Sequence, residues 1–184
     1  MRSAITVSLV AQAKGGPFVY WDGLEAAAAS AAKLGFDAIE VFAPSADSID
    51  RPALRALLQK HGLAAAAFGT GGGWLVHKWH LTHADAAVRR QAREFIRAIV
   101  DLAGEFKAPA IIGSMQGKAE GDVTREQALA WLAEALADLG AHAQQYGVPL
   151  LYEPLNRYET NLLNRQLDAA RFLEARQVGN VKLL

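Results

Sequence analysis

Short apolar runs alternate with helical stripes along the whole of this sequence, and that alternation dictates its architecture. Apolar runs suited to strands occupy residues 5–9, 38–42, 63–68, 110–113, 148–153 and 181–184. Between them lie stretches whose apolar residues recur at helical spacing. The first covers 24–34, with Leu24, Ala27, Ala28, Ala31 and Leu34 on one face and Gly35 placed to end it. The second opens at Asp50 and Pro52, carries Leu54, Leu57 and Leu58, and stops at Gly62. A third opens at a capping-box-like Thr82 and Asp85 and runs through Val88, Ala92, Phe95, Ile96, Ile99, Leu102, Ala103 and Phe106. Thr124 and Gln127 open a fourth, closed by Gly147, and a fifth spans roughly residues 165–177. Strands separated by helical crossovers of this kind form a parallel sheet.

Two α/β architectures satisfy that pattern in a chain of 184 residues, long enough for a single domain with a substantial core. A doubly wound open sheet of five or six strands fits the length. A (β/α)₈ barrel takes about 250 residues, so this chain would hold only its first five units and the start of strand six. The sequence stops on Leu183-Leu184, inside an apolar run, which favours a barrel truncated at its C-terminus, with residues 1–184 as one incomplete domain. Such a chain is expected to be unstable or to hide its open strand edges by self-association into a homo-oligomer.

Composition narrows the function classes. Nineteen basic residues balance nineteen acidic ones, so no overall field directs the chain to nucleic acid or an anionic membrane. There is no cysteine, hence no disulfide, thiolate metal site or Cys nucleophile. No apolar run approaches the roughly 20 residues of a membrane span, and no signal-type cleavage region follows the start; a cytoplasmic protein is expected.

The chemistry is concentrated in residues 148–164, VPLLYEPLNRYETNLLN. A buried-strand run ends on Glu153 and is broken by Pro154, which has no N–H for a ladder. A carboxylate at the carboxyl end of a parallel strand, opening into a polar loop, occupies the position where α/β folds place catalytic groups. The bland alternative is a helix cap or a pair with Arg157. Glu159 is either a second site carboxylate or a loop salt bridge, and Asn156 and Arg157 are read as fixing the loop. Glu40, inside strand two, points either into the barrel mouth or to a structural basic partner. The segment 69–81 reads as a long loop, glycine-rich and aromatic, whose Gly69–Gly73 stretch is read as flexible rather than as a phosphate cradle, since it lacks the Lys and Ser/Thr of a P-loop. Within it Trp74, Trp79 and His80 would form a wall over a ligand or an oligomer contact, whereas His77, His80 and His83 lie on irregular backbone poorly suited to zinc. Gly113 to Lys118 falls one residue short of a phosphate-binding loop, and no Gly-x-Ser-x-Gly elbow is present.

The phrase Tyr152-Glu-Pro-Leu-Asn-Arg-Tyr-Glu-Thr-Asn161 resembles the fifth-strand signature of the sugar phosphate isomerase/epimerase family, which has a xylose isomerase-like TIM barrel and includes the ketose 3-epimerases related to D-tagatose 3-epimerase. Phe68-Gly-Thr-Gly71, Leu81-Thr-His83, Ile111-Ile-Gly113 with Gly117-Lys118, and Asn180-Val-Lys-Leu-Leu184 agree with it. The resemblance implies a divalent metal, manganese first and magnesium or cobalt next, at the barrel mouth. Its ligands would be Glu from strand five, Asp from six, His from seven and Glu from eight; of these only Glu153 has a counterpart here. It also implies that Glu153 is one of two carboxylates exchanging a proton at carbon 3 of a ketose through a cis-enediolate, and that Glu159 holds the substrate oxygens; Trp74 and His80, read from the aromatic wall of their own loop, are expected as further substrate contacts. A sugar substrate, no nucleic acid and no membrane partner are then expected. The competing readings are an endonuclease IV-like repair barrel, against which the neutral net charge and the absence of histidine from strands two to four argue, and a non-catalytic sugar-binding or assembly module.

Overall fold

The computed structural model describes residues 2–184, and their strands follow one another in space as they do in sequence. Strands β1 (Ala4–Ser8), β2 (Ala38–Phe42), β3 (Ala64–Gly69), β4 (Ala110–Ile112), β5 (Leu150–Tyr152) and β6 (Val181–Leu183) pair parallel in the order β1-β2-β3-β4-β5-β6. That order separates the two architectures. A doubly wound sheet reverses direction at a switch point, whereas a barrel adds each strand beside the last. The sheet is therefore an arc of a TIM-barrel wall, with β1 and β6 as its two edges.

Helices α1 (Leu24–Lys33), α2 (Arg51–His61), α4 (Ala86–Glu105), α5 (Arg125–Gln144) and α6 (Gln166–Ala175) alternate with the strands and pack on the sheet, while the short α3 (Gly72–His77) follows β3. The ends are set by local chemistry. Asp50 Oδ1 accepts from the Ala53 N–H at 2.9 Å, and Gly62 ends α2 in the left-handed conformation at φ 64°. The Thr124 hydroxyl accepts from Gln127 N–H at 3.2 Å to start α5. The N-cap of α4 is Asp85, whose carboxylate accepts from Ala87 N–H at 2.7 Å. Thr82, expected to share that cap, is instead buried and donates its hydroxyl to the carbonyl of Lys118 at 3.0 Å. Helix α6 stops two residues short of the expected end, where Gln177 takes φ 51°.

The largest departure lies between β3 and α4. Residues expected to form a flexible loop contain α3, and their glycines are close-approach positions. A Cβ on Gly69 would lie 2.5 Å from the Phe42 ring, one on Gly72 would lie 2.4 Å from the Ala43 carbonyl oxygen, and one on Gly73 would lie 2.6 Å from Met115. Glycine is there because nothing larger fits between α3 and its neighbours.

The core lies between sheet and helices. Ile39 and Val41 of β2 and Ile96, Ile99 and Leu102 of α4 are wholly buried in it. Alternate residues of the same strands, such as Glu40 and Phe42, face the other way, into a cavity on the inner side of the arc. Polar links tie α4 to α5 outside: Arg97 to Asp138 at 2.7 Å, His142 to Asp101 at 2.5 Å, and the Tyr146 hydroxyl donating to Asp101 at 2.8 Å.

Candidate active site

The inner face of the arc opens into a cavity of about 740 Å³ at the carboxyl ends of the strands. Glu153 follows β5 directly. Its N–H still donates to the Ile112 carbonyl at 3.0 Å, so its backbone is fixed in the ladder before Pro154 ends the pairing. Gly113, at the matching end of β4, leaves the room this side chain needs: a Cβ there would lie 3.0 Å from Glu153 Oε2. Behind the strand ends, the wholly buried Gln116 acts as a clamp. Its amide nitrogen donates to the Gly113 and Glu153 carbonyls at 2.9 and 3.0 Å, while its amide oxygen accepts from the Tyr152 hydroxyl at 2.5 Å. Burial pushes the Tyr152 phenol far up, so it stays a donor. Nothing in the sequence marks Gln116, because its partners come from two different strands.

Glu153 is half-buried, and its proton affinity is raised first by that burial and then by the charge of Glu159. No ion pair joins it to Arg157 among the described residues; the Arg157 guanidinium lies over the Tyr158 ring, 5.3 Å from its centroid. Asn156 fixes the turn that presents Glu159: its amide oxygen accepts from Tyr158 N–H at 2.9 Å and its amide nitrogen donates to Glu159 Oε2. The loops after β4 and β5 are laced together below, by the Thr160 hydroxyl donating to the Gly117 carbonyl at 2.7 Å and by Asn161 bridging to Ala119. Glu159 is exposed at the mouth of the same cavity.

Trp74, on α3, and His80 line the opposite wall, their rings 5.6 Å apart and edge to face. His80 is almost fully buried beside the Thr82 hydroxyl, 3.3 Å from Nδ1, and burial, with His83 second, lowers its pKa to about 4. Trp79 turns away from the cavity, stacking on His77 at 4.1 Å and meeting Phe95 of α4 edge-on. The three histidines accordingly diverge: His77 ends α3, His80 is enclosed, and His83 accepts from the Asp85 N–H at 3.0 Å. Glu40 faces the cavity beside Thr6, its register partner on β1; no Lys or Arg pairs with it among the described residues. Glu153, Glu159, Trp74, His80 and Glu40 thus border one space. It holds carboxylates on one wall, aromatic surface on the other, and a carboxylate in its floor.

Among the described residues, no three His, Cys, Asp or Glu side chains gather closely enough to hold a metal ion, and no helix is long and apolar enough to cross a membrane.

Residues 28–184 match the family described as xylose isomerase-like TIM barrel. The chain is 31% identical to an L-ribulose 3-epimerase of Methylomonas sp. (strain DH-1), over 87% of this chain and 57% of that protein. It is 29% identical to a ketose 3-epimerase of Arthrobacter globiformis, over 83% of this chain and 52% of that one. The crystal structure of a D-allulose 3-epimerase from Methylomonas sp. in complex with D-allulose superimposes with a TM-score of 0.75 at 27% identity, covering 99% of this chain and 61% of that chain. The chain spans about half the length of the curated relatives it matches.

Proposed function

The chain belongs to the xylose isomerase-like TIM-barrel family, and on that premise we propose that its cavity serves the C3 epimerisation of a ketose, with Glu153 as the base. The observation that carries the reading is the placement of Glu153 at a strand end, in a cavity of about 740 Å³, with its proton affinity raised above that of an ordinary carboxylate. A carboxylate so tuned is a better general base than a solvated one. Glu153 takes the hydrogen on carbon 3 as a proton. The C–H electron pair becomes the C2–C3 double bond, and the carbonyl becomes an enediolate. Glu159, at the mouth, accepts a hydrogen bond from a hydroxyl beside the reacting carbons. Trp74 and His80 pack against the sugar; His80 is held neutral by its low pKa of about 4 and adds no positive charge to the wall. A water in the cavity then protonates the other face of carbon 3, the enediolate electrons re-forming the carbonyl, and the hydroxide so formed takes the proton back from Glu153, so the carbon is inverted and the base restored.

The resemblance asks for a divalent cation, manganese before magnesium or cobalt. The described residues offer it one ligand, Glu153, and no gathered set of three. These residues do not by themselves fit a metal site, and the steps above are assigned to side chains alone. Glu40, Glu153 and Glu159 line the cavity against Lys14 and Lys118. That balance suits a neutral polyol better than a phosphodiester, which argues against the endonuclease alternative.

The reading is tested by incubating the protein with D-allulose, D-fructose and L-ribulose in the presence of manganese and resolving the C3 epimers chromatographically. Interconversion of at least one pair is expected, falling about 10³-fold in Glu153→Gln. No epimer from any of them, or an unaffected Glu153→Gln, overturns it.

A further inference from the structure

Glu40 has no partner that explains it. It lies in the middle of β2, flanked by the wholly buried Ile39 and Val41, in register with Thr6 of β1 and Ala67 of β3. Ile39 and Val41 point to the helices, so Glu40 must point into the cavity, deeper than Glu153, which stands beyond the end of its own strand. Burying a carboxylate without a counter-charge costs stability. Thr6 stands beside it in register, and the charge of Glu153 works against its ionised form. None of its oxygens belongs to the occluded, unbonded polar atoms of the fold; the unused acceptor capacity is open to the cavity.

The surroundings suit a sugar. Ala67 in register with Glu40 is small, and the register slips by one residue at Ile39/Glu40, where β3 carries one extra residue. Next along the same face comes Phe42, whose ring packs 4.8 Å from that of Phe18, and both rings line the cavity. A carboxylate acceptor beside an aromatic surface matches the two sides of a sugar, its hydroxyl edge and its C–H face. We infer that Glu40, beside Thr6 on the inner face, is a substrate-binding residue: it accepts a hydrogen bond from a sugar hydroxyl directed at the cavity floor, opposite the end held by Glu153 and Glu159. The inference rests on the sugar reading of this cavity and adds a selection rule. The end of the substrate that meets Glu40 carries a free hydroxyl, not a phosphate, because a phosphate there would face the Glu40 carboxylate.

The experiment measures binding apart from turnover. Isothermal titration with D-allulose and with D-fructose 6-phosphate is run on the wild-type protein, Glu40→Ala and Glu40→Gln, with thermal midpoints recorded for each. D-Allulose binding is expected to weaken about ten- to a hundredfold in Glu40→Ala, the loss of one charge-assisted hydrogen bond, and less in Glu40→Gln. Both variants keep or raise the thermal midpoint, since a costly buried charge is gone. Glu40→Gln is expected to gain affinity for the phosphorylated sugar relative to wild type. Unchanged D-allulose affinity with a lowered midpoint makes Glu40 a structural residue and overturns the inference, as does a wild-type protein that binds no D-allulose. Binding that depends on Glu40 in a protein that produces no epimer leaves the inference standing and removes the epimerase reading alone.

Discussion

At the residue scale, burial acts in opposite directions on the groups around the cavity. It raises the proton affinities of Glu153 and Glu40 and lowers that of His80, because in each case the charged form loses solvation. For His80 the folded-state pKa of about 4 lies below the ordinary 6.5, so the unfolded chain binds the proton first. The stability this histidine permits is complete above about pH 6.5 and drains away as the pH falls towards 4, by on the order of 3 kcal/mol in all. The carboxylates contribute with the opposite slope: their raised affinities favour the folded state at low pH and lose that advantage as the pH climbs past 4.5. Comparison with His80→Gln isolates the histidine. Urea unfolding between pH 7.5 and 4 is expected to show the wild-type protein losing stability relative to the variant over that window; parallel curves would contradict the assignment. Glu153 was legible in the sequence because an apolar run that closes on a carboxylate and a proline marks the end of a buried strand. The direction of Glu40 was not, since a strand buried on both faces gives no polar side to read. Gln116 was invisible for a related reason: its hydrogen bonds are to Tyr152, Gly113 and Glu153, none of which can be assigned to it from its own neighbours.

At the element scale, glycine distinguishes what packing demands from what local propensity prefers. Gly104 lies inside α4, where alanine would ordinarily be better by about 1 kcal/mol. A Cβ at Gly104 would stand 2.2 Å from the Tyr146 ring, which is held by its bond to Asp101. Overpacking of this kind costs about 1–3 kcal/mol, so the clash wins and Gly104→Ala is expected to destabilise. Gly179 has open space around its Cβ position and no left-handed φ, so Gly179→Ala should leave urea midpoints unchanged or slightly higher. Equal effects at the two positions would contradict the packing account. The same logic explains why α3 escaped the sequence. Gly72 and Gly73 are the poorest helix formers short of proline, yet they are placed where α3 must touch Ala43 and Met115. Where local preference and packing agree, as at Asp50, Gly62 and Thr124, the helix limits could be read directly from the sequence. Where Thr82 and Asp85 read as one capping box, packing drew Thr82 to the Lys118 carbonyl and left Asp85 as the cap.

At the scale of the molecule, the order β1-β2-β3-β4-β5-β6 gathers the strand ends around one cavity and leaves β1 and β6 as edges. Unpaired parallel edges are templates for further pairing, so these residues alone are expected to self-associate in a concentration-dependent way, read by sedimentation velocity; a stable monomer at all concentrations would show that the edges are blunted by other means. The alternation of strands and helices was plain from hydrophobic period alone; the barrel was legible through the family signature at residues 152–161 and not through period, which says nothing about which strand lies beside which. The cavity that the arc creates contains Glu153 as the carboxylate at a strand end, and the central claim is that this group moves the proton of carbon 3. Deuterium exchange at that carbon tests it most directly: D-allulose is incubated with the protein and manganese in deuterated water, and label at each carbon is followed by NMR. Incorporation at carbon 3 alone, reduced about 10³-fold in Glu153→Gln, is the predicted result; no incorporation at carbon 3, or incorporation that survives the loss of the Glu153 carboxylate, would contradict it.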